Sequence, residues 1–171
     1  MKVNASRLKR AQDVAAAVTD PEMPMLTLAD LGVLRGVERD SDGGIVVTIT
    51  PTYSGCPAMA TIRAELHHAL TRAGFNEIDV RTTLSPPWSS DWISPNGRRK
   101  LARHGIAPPA AAPVAAHGPV PLTLHPRGQV VPCPRCHSPH TQLTSAFAGT
   151  ACKSMHRCES CGEPFERIKE I

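Results

Sequence analysis

Two cysteine pairs near the end of the chain constrain its folding more than any other feature. Cys133-Pro-Arg-Cys136 and Cys158-Glu-Ser-Cys161 are separated by 21 residues. Each CxxC makes a tight turn that directs two sulfurs to one place, and two such turns supply the four thiolates that zinc binds in a tetrahedron. The spacing predicts a closed structural zinc site in a zinc ribbon, with a [4Fe–4S] cluster or a dithiol as the alternatives.

The segment that carries these cysteines is predicted to be a small β domain. We place the ribbon at residues 129–171, with strands at Thr141–Phe147 and Glu163–Ile168. A unit of about 40 residues buries too little apolar surface to be stable alone. Metal binding should therefore supply much of its folding free energy.

A run of alanine and proline separates the ribbon from the rest of the chain. Ala107–Pro121 contains only alanine, proline, glycine, valine and one histidine. Such a segment has neither the periodicity nor the bulky side chains that a core requires. We predict a linker at residues 107–128 and a first domain at residues 1–106.

The first domain alternates helical and strand patterns. In chain order we predict a helix at Ser6–Val18, strands at Val33–Arg39 and Ile45–Thr50 around a turn at Asp40–Gly44, a helix at Met59–Ala73 and a strand at Glu77–Leu84. The first two strands should pair antiparallel, and the third should lie parallel to the second after a right-handed crossover. The predicted fold class is α+β, a small mixed sheet with two covering helices in the order α-β-β-α-β.

A cysteine lies in the turn between the second strand and the following helix. In Thr52-Tyr-Ser-Gly-Cys-Pro57, the proline suits the first helical position, which places Cys56 at or next to the N-cap. Free amides of the first helical turn and the helix dipole stabilise a thiolate there. Cys56 could then carry covalent chemistry or bind a soft metal such as iron. The alternative is a buried, inert thiol.

Cys152 is not needed for a site made of four sulfurs. It lies six residues before Cys158 in the ribbon segment. It is either a packed free thiol or a second functional thiol that approaches Cys56 across the flexible linker. Both interpretations remain open.

Two further segments lie outside the regular elements. Trp88 and Trp92, the two tryptophans of the chain, fall in a segment of prolines and serines that is followed by a short basic helix. They form either a lid over the core or a docking surface for a partner. Asp20, Glu22 and Asp30 belong to a proline-containing loop, where acidic residues are usually solvated turn formers.

Charge and hydropathy argue against nucleic acid and membrane as partners. The net charge of +4 is dispersed along the chain, so it does not by itself indicate a polyanion or an anionic membrane. No apolar stretch approaches the ~18 residues that span a bilayer, and the N-terminus lacks the apolar core of a signal peptide. We expect a cytoplasmic protein in which the CxxC cysteines bind metal and do not form disulfides.

The motifs together resemble two known families. The loop at residues 20–22, the segment LADLGVL at residues 28–34 and the segment TITPTYSGCP at residues 48–57 resemble the iron–sulfur assembly domain of SufT and of the eukaryotic cytosolic iron–sulfur targeting machinery. TYSGCP, SPPWSSDWIS with the basic helix behind it, and the module CPRC…ACKSMHRCESCGEPFE resemble the PaaD family, which belongs to bacterial phenylacetyl-CoA epoxidase systems. The second resemblance covers nearly the whole chain apart from the linker.

The resemblance implies an accessory protein of aerobic phenylacetate catabolism that is not itself an enzyme. Its expected role is to assist the assembly or insertion of an iron–sulfur cluster, or of iron, into the reductase or oxygenase subunits. By analogy Cys56 handles the cluster or iron transiently, with Asp20, Glu22 and Asp30 on the same rim. One thiolate cannot close a cluster site, so the site would be shared by two copies of the chain or with the client's cysteines.

Two other functions are kept as alternatives. The ribbon could be an adaptor that binds nucleic acid or protein, although its basic residues are offset by four glutamates, which lowers the affinity expected for phosphates. The chain could also be an enzyme with Cys56 as its nucleophile, for which a general base is required. His67 and His68 lie about three helical turns from Cys56, which makes them weak candidates for that base.

Overall fold

The computed structural model describes residues 2–111 and 130–171, and side chains from residue 5 onward. It divides the chain into two compact units, Met1–Lys100 and Leu101–Ile171. Most of the predicted linker lies outside the described residues. Within them, the structure contains no helix with the length and apolar character that crossing a lipid bilayer requires.

The first unit has the predicted order of helices and strands. Its elements up to the third strand are α1 (Lys2–Ala17), β1 (Leu34–Arg39), β2 (Ile45–Ile49), α2 (Met59–Arg72) and β3 (Ile78–Thr82). β2 is the central strand, antiparallel to β1 and parallel to β3. The structure therefore confirms the small mixed α+β sheet, including the parallel pair expected from the crossover through α2.

The core of the first unit follows from the apolar spacing of its central elements. In α2 the buried residues are Ile62, Leu66 and Leu70, which recur every four residues on one face. Val47 and Ile49 of β2 are also completely buried. The periodic pattern of α2 and the β-branched run of β2 are thus explained by burial of one helical face and of the central strand.

The tryptophan segment packs within the first unit. Trp88 is 3% exposed, and its indole Nε1–H donates a hydrogen bond of 2.9 Å to the carbonyl oxygen of Leu31. The guanidinium of Arg35 lies 3.5 Å from the centroid of the Trp92 ring, a cation–π contact. Of the two interpretations of this segment, these contacts favour the lid. The segment includes a short 3₁₀ turn at Ser90–Trp92 and leads into α3 (Pro95–Arg103).

The second unit is built on a sheet of three antiparallel strands. These are β4 (Thr141–Ser145), β5 (Lys153–Cys158) and β6 (Pro164–Ile168), with β5 in the centre. β4 and β6 coincide with the two strands predicted from the sequence, and β5 was not predicted. Its sequence, KSMHRC, shows no alternation of apolar and polar residues, because the residues that the strand buries include a lysine, a serine and a histidine.

The start of the predicted linker is part of the second unit. The backbone N–H of Ala107 donates to the carbonyl of Glu166 at 2.8 Å, and the N–H of Ile168 donates to the carbonyl of Ala107 at 3.1 Å. Ala107 is buried together with Val131, Phe165 and two cysteines of the ribbon. Ala107 is thus bridged to β6 through its backbone and belongs to the buried cluster of the second unit.

Candidate metal centre and cysteine loop

The four cysteines of the two CxxC pairs meet at one point. Their Sγ atoms all lie within 4.8 Å of one another. Cys133 and Cys161 are 3.8 Å apart at sulfur, and Cys136 and Cys158 are 3.5 Å apart. A tetrahedral zinc ion with bonds of about 2.3 Å requires sulfurs about 3.8 Å apart. The donor set and its spacing therefore fit zinc.

The two CxxC turns have the same backbone geometry. The N–H of His137 donates to the carbonyl of Cys133 at 2.9 Å, and the N–H of Gly162 donates to the carbonyl of Cys158 at 2.9 Å. Both donors follow the second cysteine of their pair and have a left-handed backbone, with φ of 61° at His137 and 77° at Gly162. Each turn is thus closed in the same way, so that both of its sulfurs face the other pair.

The pKa values of the clustered cysteines indicate that four thiolates need a cation among them. A hydrogen bond from the backbone amide of Cys161 is the largest of the effects that lower the pKa of Cys158 to about 6. The amide of Ser138 lowers the pKa of Cys136, but desolvation and the three other sulfurs outweigh it and raise that pKa to about 12. Four sulfurs this close cannot all be thiolates without a positive charge among them. A bound metal ion supplies that charge.

Cys56 lies on the loop that leads from β2 into α2. Its N–H donates to the carbonyl of Tyr53 at 3.1 Å, which closes a turn with Ser54 and Gly55 at its exposed tip. Cys56 itself is half-buried. The residue is therefore not sealed in the core, in contrast to the buried thiol that the sequence left as an alternative.

The structure places Cys56 further from the helix than the sequence suggested. The N-cap of α2 is Ala58, two residues after Cys56. Pro57 and Ala58 first form a turn, in which the N–H of Met59 reaches back three residues to the carbonyl of Cys56 at 3.4 Å. The regular pattern begins with the N–H of Ile62, which donates to the carbonyl of Ala58.

Asp20 shapes the proline-containing loop. Its side chain is buried, and its Oδ1 accepts hydrogen bonds from the N–H groups of Glu22 at 3.0 Å and Met23 at 2.8 Å. This is the side-chain turn that aspartate commonly forms with its own backbone. Glu22 is exposed. A role of either carboxylate with iron stays a prediction.

Asp30 connects the same loop to the beginning of α3. Its carboxylate accepts hydrogen bonds from Lys100 at 2.6 Å, Ser94 at 3.0 Å, Asn96 at 3.1 Å and the N–H of Thr27 at 3.3 Å. Desolvation alone would raise the pKa of Asp30, but these four donors together lower it to about 2. Its contacts show a structural role, and the predicted role in iron handling is untested by them.

Cys152 is packed inside the second unit. It is 5% exposed, and its sulfur lies 3.1 Å from the hydroxyl of Thr150. Its carbonyl accepts a hydrogen bond from the N–H of Lys169. These contacts favour a packed thiol, and a functional role for it stays a prediction.

Sequence reasoning missed the residues that support these sites from a distance. Tyr53 holds the cysteine loop through a backbone carbonyl, which leaves no trace in side-chain patterns. Asn96 and Lys100 contact Asp30 across 66 and 70 residues of sequence. The available signal was the basic composition of α3, one of whose cations, Lys100, pairs with Asp30 in the same unit.

The fold and the two cysteine sites define a class of protein, an iron–sulfur assembly domain that is followed by a zinc ribbon. Residues 11–80 match the family described as "Iron-sulfur cluster assembly protein", and residues 118–169 match the family described as "PaaD zinc beta ribbon domain". The chain is 44% identical over 154 residues to an Escherichia coli protein named as the putative D subunit of 1,2-phenylacetyl-CoA epoxidase, covering 90% of this chain and 87% of that one. The chain belongs to the PaaD family.

Two further comparisons concern the first unit. The chain is 28% identical over 103 residues to an "Fe-S protein maturation auxiliary factor" of Porphyromonas gingivalis, covering 58% of this chain and 97% of that one. A crystal structure of a "Domain of Unknown Function DUF59" from Bacillus anthracis aligns with a TM-score of 0.52 and 28% identity, over 57% of this chain and 92% of that one. The protein is therefore related to accessory factors of iron–sulfur protein maturation.

Proposed function

We propose that this protein is an accessory maturation factor of a phenylacetyl-CoA epoxidase in aerobic phenylacetate degradation. It assists the assembly or insertion of an iron–sulfur cluster, or of iron, into the reductase or oxygenase subunits. The observation that carries the proposal is a half-buried cysteine, Cys56, on a loop of an assembly-type domain, in a chain 44% identical to a protein named as the putative D subunit of such an epoxidase.

Cys56 contributes one sulfur to a shared site. A cluster of the four-iron or two-iron type needs several cysteine ligands, so iron or a cluster held by Cys56 must take its remaining ligands elsewhere. The exposed tip at Ser54 and Gly55 leaves room for a second protein surface beside the sulfur. Those ligands come from the client's own cysteines or from a second copy of this chain.

The loop around Cys56 is suited to transfer because one side of it is fixed and the other is open. The hydrogen bond from its N–H to Tyr53 fixes the backbone, while the tip of the loop at Ser54 and Gly55 is exposed. A single sulfur ligand on an open loop holds its cargo weakly enough to release it. A closed four-cysteine site such as that of the ribbon would retain it.

The ribbon cysteines Cys133, Cys136, Cys158 and Cys161 have a different role in this proposal. They hold a structural zinc ion, which supplies the charge that four adjacent thiolates require and part of the folding free energy of a small unit. The ion takes no part in the transfer. With zinc bound, the folded ribbon serves as a surface that other proteins can bind.

The two alternatives receive less support. Three basic side chains of the ribbon are already in ion pairs, Arg135 with Glu163, Lys153 with Glu166 and Arg167 with Glu170, which reduces the positive field available to a nucleic acid. A thiol enzyme needs a general base near Cys56, and the predicted candidates, His67 and His68, are on α2. The ring of His67 lies 3.5 Å from the hydroxyl of Thr71. Thr71 is one helical turn further from Cys56.

The test is growth on phenylacetate as the sole carbon source, in a strain that depends on this chain. Cys56→Ala should abolish that growth while growth on succinate, zinc content and circular dichroism stay unchanged. Ser54→Ala, at an exposed position of the same loop, is the matched control and should support normal growth. Normal growth of the Cys56→Ala strain would overturn the proposal.

A further inference from the structure

Among the residues that the structure describes, no strand covers one edge of the sheet of the second unit. Ala107 pairs with the outer side of β6, whereas no other strand among the described residues pairs with the outer side of β4. The five residues of β4, TQLTS, carry no charge and no proline. Open edge strands usually carry charged residues or proline, because these residues prevent pairing with other chains. β4 lacks this protection along the regular part that precedes its bulge between Leu143 and Ser145.

An apolar groove runs beside this open edge. It has a volume of about 450 Å³, and its lining consists of Val130, Pro139, Thr141, Leu143, Ala146, Ser154, His156, Arg167 and Lys169. Leu143 is 55% exposed and Val130 is 66% exposed, although both are large apolar side chains. The exposed Phe147 adjoins the groove through Lys169, whose ammonium lies 4.0 Å from the centroid of the phenylalanine ring. Exposed apolar side chains grouped in this way mark a binding surface.

The register of the sheet determines how a strand added to β4 would meet the groove. Leu143 lies opposite His156, and Thr141 lies opposite Cys158, so both β4 side chains are on one face of the sheet. That face includes Arg167, which lies opposite Ser154. Because side chains alternate along a strand, every second side chain of an added segment would point into the groove.

The charges of the groove lining indicate what charge a segment bound beside β4 should carry. Arg167 and Lys169 are the charged residues of the lining, and both are cations. Arg167 pairs with Glu170, which is outside the lining. The ammonium of Lys169 lies beside the Phe147 ring and donates a hydrogen bond of 2.8 Å to the carbonyl of Ala151. Two copies of this chain would bring these cations towards each other, which disfavours self-association through this face. An acidic and apolar segment matches both the charge and the exposed leucine and valine.

We infer that the β4 edge and its groove, which together we call the β4 surface, bind an extended segment of another protein in which apolar residues alternate with aspartate or glutamate. The segment pairs with the carbonyl of Thr141 and the backbone of Leu143, because the N–H of Thr141 already donates to the carbonyl of Pro139 at 3.0 Å. It places apolar side chains against Leu143 and Val130, and brings a carboxylate to Lys169. This surface belongs to the second unit and Cys56 to the first, and the inference does not depend on what Cys56 transfers.

The experiment is site-specific photocrosslinking in the native host with the full-length, zinc-loaded chain. The photoreactive residue p-benzoylphenylalanine replaces Leu143 in one variant and Gln142 in the matched control. Gln142 is exposed on the same strand, and its side chain is on the opposite face because it is adjacent to Leu143 in sequence. The crosslinked peptide of the partner is then identified by mass spectrometry.

We expect the Leu143 probe to crosslink to a segment of a different protein that alternates apolar and acidic residues, and the Gln142 probe not to do so. Lys169→Glu, combined with the Leu143 probe, should lower the yield of this adduct about five- to tenfold, and Lys169→Arg should leave it nearly unchanged. Zinc content verifies that each variant is folded. An adduct between two copies of this chain, an adduct with a basic segment, equal yields from both probes or the absence of an adduct would overturn the inference.

Failure here is distinguishable from failure of the proposed function. The crosslink requires no phenylacetate phenotype, and the growth test of Cys56→Ala requires no partner on the β4 surface. One result can therefore be positive while the other is negative.

Discussion

Asp30 and Lys100 form an ion pair of 2.6 Å that joins the proline-containing loop to α3 within the first unit. The carboxylate also accepts hydrogen bonds from Ser94 and Asn96 at the start of that helix. Its side chain is only 10% exposed, so it is held by partners that replace most of its water. The tryptophan segment, which lies between β3 and α3 in the sequence, is anchored at its far end by these contacts.

Replacing Asp30 should destabilise the first unit in a pH-dependent manner. The pKa of Asp30 is lowered to about 2 in the folded chain, below its usual value near 3.9. Its contribution of about 1–2 kcal/mol, reduced for residual solvent screening, is therefore complete above about pH 4 and is lost as the pH falls towards 2. In urea unfolding, Asp30→Asn should lower the free energy of unfolding at pH 7 and have much less effect at pH 2.

Tryptophan fluorescence isolates this effect, because both tryptophans of the chain, Trp88 and Trp92, are in the first unit. Asp13→Asn is the control, since Asp13 is in an exposed ion pair with Lys9 on α1 and should change the free energy of unfolding by less than about 0.5 kcal/mol. A pH-independent loss in Asp30→Asn would show that the carboxylate charge is not what stabilises the contact.

Gly32 is expected to tolerate no side chain. Its φ is +69°, and a Cβ atom there would lie 2.5 Å from the Cβ of Trp92. Gly32→Ala should therefore cost about 2–4 kcal/mol, from the left-handed backbone and the overlap with the lid. Gly36→Ala is the matched control, because a Cβ at Gly36 meets no atom within 4 Å. Equal urea midpoints for the two variants would contradict the packing of Trp92 over Gly32.

The parts of the fold that the sequence predicted correctly are those with a local repeat. The four-residue spacing of apolar residues in α2, the β-branched run in β2 and the paired CxxC motifs each reflect contacts made by a single element or turn. β5 has no such repeat, because Lys153 is buried against Glu166 and His156 is buried by stacking on Phe165. A strand that buries polar side chains through partners elsewhere in the chain does not show an apolar alternation.

The details of the candidate site depended on contacts that no local pattern contains. Pro57 suggested that α2 begins at once, but the chain makes one further turn before the regular hydrogen bonds start at Ile62. Proline fits either geometry, so it could not distinguish them. The composition of the loop predicted Asp20 and Asp30 as turn formers, and the family resemblance implied that they lie on the rim with Cys56. The structural role of Asp30 depends on Lys100, which is 70 residues away.

Removal of zinc should unfold the ribbon and leave the first unit folded. Without a cation, the pKa of Cys136 is raised to about 12 by desolvation and neighbouring sulfurs, against the effect of the Ser138 amide, so the four thiolates are not stable together. A strong zinc chelator should therefore abolish the β-sheet signal of the ribbon in circular dichroism, while tryptophan fluorescence stays native. Simultaneous loss of both signals would contradict independent folding of the two units.

Two variants assign the zinc to its ligands. Cys158→Ser should reduce bound zinc, measured by atomic emission, from one ion per chain to a small fraction of that. Cys152→Ala should retain the ion, because Cys152 is not among the four clustered sulfurs. Acidification should also release the metal, since protons compete for the thiolates. Zinc retained by Cys158→Ser at neutral pH would contradict the four-cysteine site.

Cys56 should be the fast-reacting thiol of the zinc-loaded protein. It is half-buried on an open loop, Cys152 is buried, and the ribbon cysteines are shielded by the metal. N-ethylmaleimide should modify Cys56 within the time that leaves Cys152 unmodified, because Cys152 becomes accessible only when the ribbon opens. Peptide mapping by mass spectrometry identifies the modified residue. Cys56→Ala should remove the fast phase, and Cys152→Ala should preserve it. A fast phase that persists in Cys56→Ala would show that the accessible sulfur belongs to another cysteine. The loop would then contribute no accessible sulfur ligand to a shared iron site.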